Sequence, residues 1–189
     1  MKIKNLIYKI SFTAIIAALV FVATVFISIP YAGGAGYFNL SDGLIIFSTI
    51  YFGPIVGIFG GIIGTSLGDL YAGYANCIPF TILAKGLEGL VCFLLYSFLK
   101  DKKYLNYLAF IIPPIFMVVS YIPYYLIYDD VQGALALISS CYDLIQGLSG
   151  IIVAISLYTV FKKITLPSDF KKEELHLKLK TKPTKKENL

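Results

Sequence analysis

Apolar residues fill this chain in six blocks, 10–39, 43–67, 70–84, 89–99, 104–128 and 144–161, none of which contains a charged residue. A helix needs about 20 predominantly apolar residues to cross a bilayer, and somewhat fewer where the bilayer thins. The stretch 43–68 allows two readings, one long span or two short ones broken at Gly53-Pro54, where proline cannot continue the hydrogen-bond ladder. Lysine placement decides between them, because short lysine-rich segments stay on the cytoplasmic side. Three such groups occur: Lys2, Lys4 and Lys9; Lys100, Lys102 and Lys103; and nine lysines from Lys162 to Lys186. All three share a side only if 43–68 crosses twice. The pattern therefore predicts an all-α integral membrane protein with six transmembrane helices near 6–29, 41–52, 54–70, 79–99, 105–127 and 137–161. Both termini are cytoplasmic, with a transmembrane domain over 1–164 and a lysine-rich cytoplasmic tail over 165–189. The outward loops are then 31–41, 71–78 and 128–133.

Composition agrees with a chain that lives in the cell membrane. It is 58% hydrophobic and 14% charged, with a mean hydropathy of +0.79, against the 45–50% apolar and about 25% charged residues of a soluble domain. A soluble fold of 189 residues cannot hide so much apolar surface. All 16 basic residues are lysine, and bidentate recognition of phosphate or bases is an arginine property; nucleic acid is not an expected partner. The apolar run 6–30 follows a basic start but carries no A-x-A-like cleavage site, so it reads as a retained first helix. Cys77, Cys92 and Cys141 are odd in number and lack C-x-x-C spacing, which predicts small apolar packing residues rather than disulfides or zinc ligands.

Small residues recur at four-residue intervals in the third helix, as Gly53, Gly57 and Gly61 on one stripe and Gly60, Gly64 and Gly68 on the next. In lipid such stripes let backbones approach closely, so helix packing is their expected use. Ala14 and Ala18 form a similar pair on the first helix, suited to internal packing or to a partner membrane protein. The phosphate-loop pattern G-x-x-x-x-G-K-[ST] is absent, and the cluster Gly33-Gly34-Ala35-Gly36 precedes no matching lysine.

Charges inside the membrane are the most informative positions, since each costs about 2.5–3.5 kcal/mol on insertion scales. Lys85 and Glu88 lie three apart on one helix face and can pair, either as a structural ion pair or as a pair poised for a polar ligand. Asp69, Asp143 and Gln146 fall in the same outer half. Tyr71, Tyr74, Tyr121, Tyr124, Tyr125 and Tyr128 crowd that side as well, as an interfacial belt or as the wall of a small-molecule pocket. Catalysis has little support. His176 is the one histidine and sits in the tail, Asp129-Asp130 reads as an exposed loop, and no D-x-x-D pair lies in a membrane helix, so neither an enzyme nor a metal site is expected.

Taken in order, the Ala14-x-x-x-Ala18 pair, the loop ending Gly36-Tyr37-Phe38-Asn39-Leu40-Ser41-Asp42, then Phe52-Gly53-Pro54, Gly68-Asp69-Leu70 and Lys85-Gly86-Leu87-Glu88-Gly89 resemble the substrate-binding S components of energy-coupling-factor vitamin transporters. The likeness covers about residues 6–161 and is nearest to the branch that carries hydroxymethylpyrimidine and vitamin B6 compounds. It implies a high-affinity binder of a small vitamin, with a pocket that opens outward and no cofactor of its own. The partners it implies are a transmembrane coupling subunit, docked through Ala14 and Ala18, and two cytoplasmic ATPases. By the same resemblance the ligand contacts are Asn39, Asp69, Tyr74, Asn76, Lys85, Glu88, Tyr121, Tyr125, Asp143 and Gln146. Tryptophan is absent, which departs from several riboflavin and thiamine binders and favours a hydroxymethylpyrimidine or pyridoxine-type ligand over riboflavin. The alternative is a self-sufficient ion-coupled carrier or channel that uses Asp69, Lys85, Glu88 and Asp143 as a charge relay, although no internal repeat of the kind such carriers show is found.

Overall fold

The computed structural model describes residues 2–30, 37–102, 104–128 and 134–164, and in them the chain is an all-α bundle. The tail over 165–189, the glycine cluster at 33–36, Asp129-Asp130 and His176 lie outside the described residues. The helices are α1 (Lys2–Phe26), α2 (Ser41–Tyr51), α3 (Pro54–Tyr71), α4 (Ile78–Leu99), α5 (Leu108–Ile111), α6 (Pro113–Tyr128) and α7 (Ala134–Phe161). Five segments, Asn5–Phe26, Pro54–Tyr71, Ala75–Leu99, Leu105–Ile127 and Ile138–Phe161, are long and apolar enough to cross a membrane. The protein is therefore a multi-pass membrane protein. Between the first two of these segments sits α2, whose 11 residues reach roughly 16 Å at 1.5 Å per residue. Nine of those residues are buried, which makes α2 the enclosed centre of the bundle, shielded from lipid by its neighbours.

The break at Gly53-Pro54 forms as the sequence requires. Gly53 has φ +100°, a left-handed conformation that glycine adopts without a steric cost, and Pro54 follows at the first position of α3, where its missing N–H is harmless. Among the differences from the expected boundaries, two have a clear physical cause. The first helix stops at Phe26 instead of continuing to 29, because Ile29–Pro30 leaves the helix to pair antiparallel with Tyr37–Phe38. The expected single helix over 105–127 is divided: a 3-10 turn at Leu105–Tyr107 and the short α5 precede Pro113, whose ring blocks continuation from α5 into α6. Pro123, in contrast, is held inside α6.

Helix packing follows the glycine stripes. Gly60, Gly64 and Gly68 face α1, where an added Cβ would stand 2.8 Å from Ile16 Cγ2, 2.5 Å from the Ala17 carbonyl oxygen and 2.4 Å from Thr24 Cγ2. Gly57 and Gly61 face α2 at Thr49 and Ile45. A third close approach joins α2 to α7: a Cβ at Gly150 would meet Asp42 Cβ at 2.8 Å, and one at Gly43 would meet Val153 Cβ at 2.6 Å. Apolar burial gives helices little reason to associate in lipid, so these van der Waals contacts determine which helices touch.

The bundle has two chemically different ends. At one end Phe47, Tyr51, Phe52 and Phe161 pack ring against ring, Phe12 stacks on Phe52 at 4.8 Å, and Tyr51 donates a hydrogen bond to the Ile164 carbonyl. The beginning of α1 and the ends of α2 and α7 therefore lie together, as the lysine groups predict for the cytoplasmic side. The opposite end holds the polar side chains.

These contacts predict that Gly64→Leu, which must displace the α1 backbone, costs about 1–3 kcal/mol and lowers the thermal midpoint in detergent. Gly86→Ala, whose nearest new contact is Ile62 Cδ1 at 3.5 Å, leaves that midpoint unchanged.

Candidate ligand-binding site

The centre of the polar end is a buried ion cluster. Lys85, in the middle of α4, donates from its ammonium to the Asp42 carboxylate in the first turn of α2 and, at 3.3 Å, to Glu88 Oε2 one turn further along α4. Lys85 is 2% exposed and both carboxylates are 0% exposed. An isolated buried charge is expensive, and removing one partner of a buried pair costs about 3–5 kcal/mol. Asp42 Oδ2 also accepts from Gln146 Nε2 at 3.0 Å, and Gln146 Oε1 accepts the Asn39 backbone N–H at 3.1 Å. Asn39 Oδ1 in turn takes the Ser41 N–H at 2.9 Å and the Ser41 hydroxyl at 2.5 Å. One network thus fastens the outer connection, the start of α2, α4 and α7 to each other.

A second network lies outward of it. Asp69, one turn before the end of α3, accepts from the Tyr37 hydroxyl on one oxygen and the Thr81 hydroxyl on the other, each at 2.5 Å. Thr81, one turn before Lys85 on α4, accepts from the Tyr121 hydroxyl at 3.0 Å. Tyr125 donates to Asp143 Oδ2 at 2.7 Å. Rings pack beside these bonds, Tyr37 against Tyr74 at 5.6 Å and Tyr124 against Tyr125 at 5.6 Å.

Between the two networks is a cavity of about 50 Å³. Of the ten residues proposed from sequence as ligand contacts, eight line it: Asn39, Asp69, Tyr74, Lys85, Tyr121, Tyr125, Asp143 and Gln146. The other two stand apart from its wall. Asn76 is exposed in the 3-10 turn before α4, and Glu88 lies beneath Lys85 with one carboxylate oxygen, Oε1, lacking a hydrogen-bond partner among the described residues. Tyr124, one of the tyrosines read from sequence as a possible pocket wall, also lines the cavity, whereas sequence reasoning missed Thr24, Tyr37, Thr65, Cys77 and Thr81 as lining residues and Asp42 as the principal partner of Lys85. The i, i+4 spacing of Thr81 and Lys85 was the available signal for Thr81. The cysteine reading needs correction: only Cys92 is buried, Cys141 is exposed, and Cys77 faces this polar cavity 3.6 Å from Thr81 Oγ1.

At about 50 Å³ the cavity is well below the 300–1,000 Å³ of small-molecule sites. Tyr37, on the connection before α2, lines the cavity and is tied to α3 by its hydrogen bond to Asp69. Ala14 and Ala18 are exposed on the lipid-facing side of α1, away from the cavity.

The model of the ECF-type riboflavin transporter S component family matches residues 4–163. An uncharacterized protein in the gap 3'region of Pyrococcus woesei is 33% identical over 146 residues, which covers 75% of this chain and 93% of that protein. The match to the family spans every described helix, and its members are transporter components rather than enzymes. With its all-α membrane bundle and polar cavity, this chain belongs to the ECF-type riboflavin transporter S component family.

Proposed function

We propose that this S component captures a small ring-containing vitamin or vitamin precursor from outside the cell and releases it inside after docking on the coupling module of an ECF importer. The observation that carries this reading is the enclosed, tyrosine-walled polar cavity in the outer half of an otherwise apolar bundle. Hydrogen-bonding groups that cost this much to bury are retained where a ligand uses them. Asp69, Thr81, Asp143, Asn39 and Gln146 supply acceptors and donors for ring substituents, and Tyr74, Tyr121 and Tyr125 supply faces for stacking. Lys85 keeps Asp42 and Glu88 in register beneath the ligand, so Glu88 acts on the ligand through Lys85, while Asn76 contributes at the rim.

The family description names riboflavin. The absence of tryptophan supports a single-ring ligand of the hydroxymethylpyrimidine or pyridoxine type in preference to the three fused rings of riboflavin. Energy for uptake comes from two cytoplasmic ATPases, reached through a transmembrane coupling subunit that meets the exposed Ala14 and Ala18 face of α1. The chain itself carries no phosphate-loop pattern, which supports borrowed energy. An ion-coupled carrier has no comparable support: its charge relay would need mobile charges, whereas Lys85 is tied to two carboxylates and Asp69 to two hydroxyls.

Denaturing gently purified protein and identifying released molecules by mass spectrometry is expected to yield a ring-containing vitamin. Thr81→Val, which keeps the side-chain shape but leaves Asp69 short of a buried partner, should weaken retention about tenfold, equivalent to about 1.4 kcal/mol. Uptake by liposomes that contain this chain alone, driven by a proton or sodium gradient, would contradict the reading. On the opposite face, Ala14→Trp should abolish co-purification with the coupling subunit and ATPases while leaving vitamin binding intact.

A further inference from the structure

The charge balance of the outer half says what kind of ring the cavity takes. Between Lys9 and Lys100 the sequence contains one basic residue, Lys85, and between Lys103 and Lys162 it contains none. No lysine occurs in the sequence over 31–36 or 129–133. Against the one ammonium stand Asp42, Glu88, Asp69 and Asp143, all of them 5% exposed or less. The ammonium of Lys85 is already committed to Asp42 and Glu88, which leaves the Asp69 and Asp143 carboxylates at the cavity wall with hydroxyl donors from tyrosine and threonine. The cavity wall is therefore acidic in composition.

We propose that the ligand is a cation, a small aromatic ring bearing a protonated or quaternary nitrogen, and that the site rejects phosphorylated or carboxylated forms of the same ring. This inference rests on the reading of the cavity as the vitamin site. Three features of the chamber match that ligand. A cation at Asp69 adds an attraction between opposite charges that a neutral ring lacks. Tyr37, Tyr74, Tyr124 and Tyr125 line the cavity, and tyrosine rings attract positive charge through their quadrupoles. The hydroxyl of Thr24, 1% exposed and lining the cavity, has no hydrogen-bond partner among the described residues and is available to a ring substituent. An anion meets the reverse: it must share the Lys85 ammonium with Asp42 and Glu88 while lying against the Asp69 and Asp143 carboxylates.

The test is calorimetric titration of the full chain in detergent with six probes: thiamine and pyridoxamine as cations, riboflavin as a neutral ring, and the phosphate esters of all three. The expected result is that a cation binds at least about tenfold more tightly than riboflavin and than any phosphate ester, and that Asp69→Asn weakens the cation about ten- to hundredfold. Asparagine accepts from one of the Tyr37 and Thr81 hydroxyls and donates to the other, and the ranking of the six probes on the unsubstituted protein decides the matter even if the variant fails to fold. If riboflavin or a phosphate ester binds tightest, the charge inference is overturned while vitamin capture stands. If none of the six binds, the charge of the molecule that mass spectrometry finds released from the purified protein decides: a cation supports the inference, and a neutral or anionic ring overturns it. If no probe binds and no small molecule is released, the inference and the reading it rests on fall together.

Discussion

The structure depends on the burial of Lys85 between two carboxylates. Placing one ammonium and two carboxylates inside a helical bundle costs several kcal/mol per ion before their attraction is counted, and the arrangement persists only because α2, α4 and α7 each contribute to it. Asp42 comes from α2, Lys85 and Glu88 from α4, and Gln146 from α7. Removing any of them leaves a charge or an amide in apolar surroundings, so the same bonds that satisfy the cluster hold the three helices in one register.

Close helix approach makes that cluster geometrically possible. Gly150 lets the first turn of α2 lie against α7, which brings Asp42 to Gln146, and the glycine stripes of α3 seat α1 and α2 on adjacent faces. Because α2 is short and enclosed, its N-terminal Asp42 sits within the bundle rather than at the water interface. The outer connection then folds over the cluster through Asn39 and closes the cavity by the bond from Tyr37 to Asp69. Packing by small residues, an ion cluster and a closing tyrosine are successive consequences of one arrangement.

Much of this was legible in the sequence, for reasons that concern lipid. Apolar blocks report bilayer thickness, lysine groups report sidedness, and Gly53-Pro54 reports a turn, because each has a local physical cause. Lys85 with Glu88 was legible as an i, i+3 pair. The partnership of Lys85 with Asp42 was not, since the two stand 43 residues apart and meet only through tertiary packing. Tyr37, Thr24, Thr65 and Thr81 were missed because hydroxyl side chains in apolar helices resemble packing residues until their neighbours are known. Proline alone was an incomplete guide: Pro113 ends a helix and Pro123 does not. Cys77 was read by its usual burial, whereas its position beside Thr81 places it at a polar wall.

The central claim is that these costly buried groups exist to hold a ring in the outer half of the bundle, and the most direct measurement is an experimental structure of the protein with its co-purified ligand retained. The account predicts a single ring enclosed between Asp69, Thr81 and Tyr121, with Tyr37 displaced from its bond to Asp69 and with Lys85 still paired to Asp42 and Glu88. A ligand found instead against the apolar side chains Ile10, Ile55, Phe59 and Ile63, which line a groove between α1 and α3, with the Tyr37 bond to Asp69 unbroken, would contradict it.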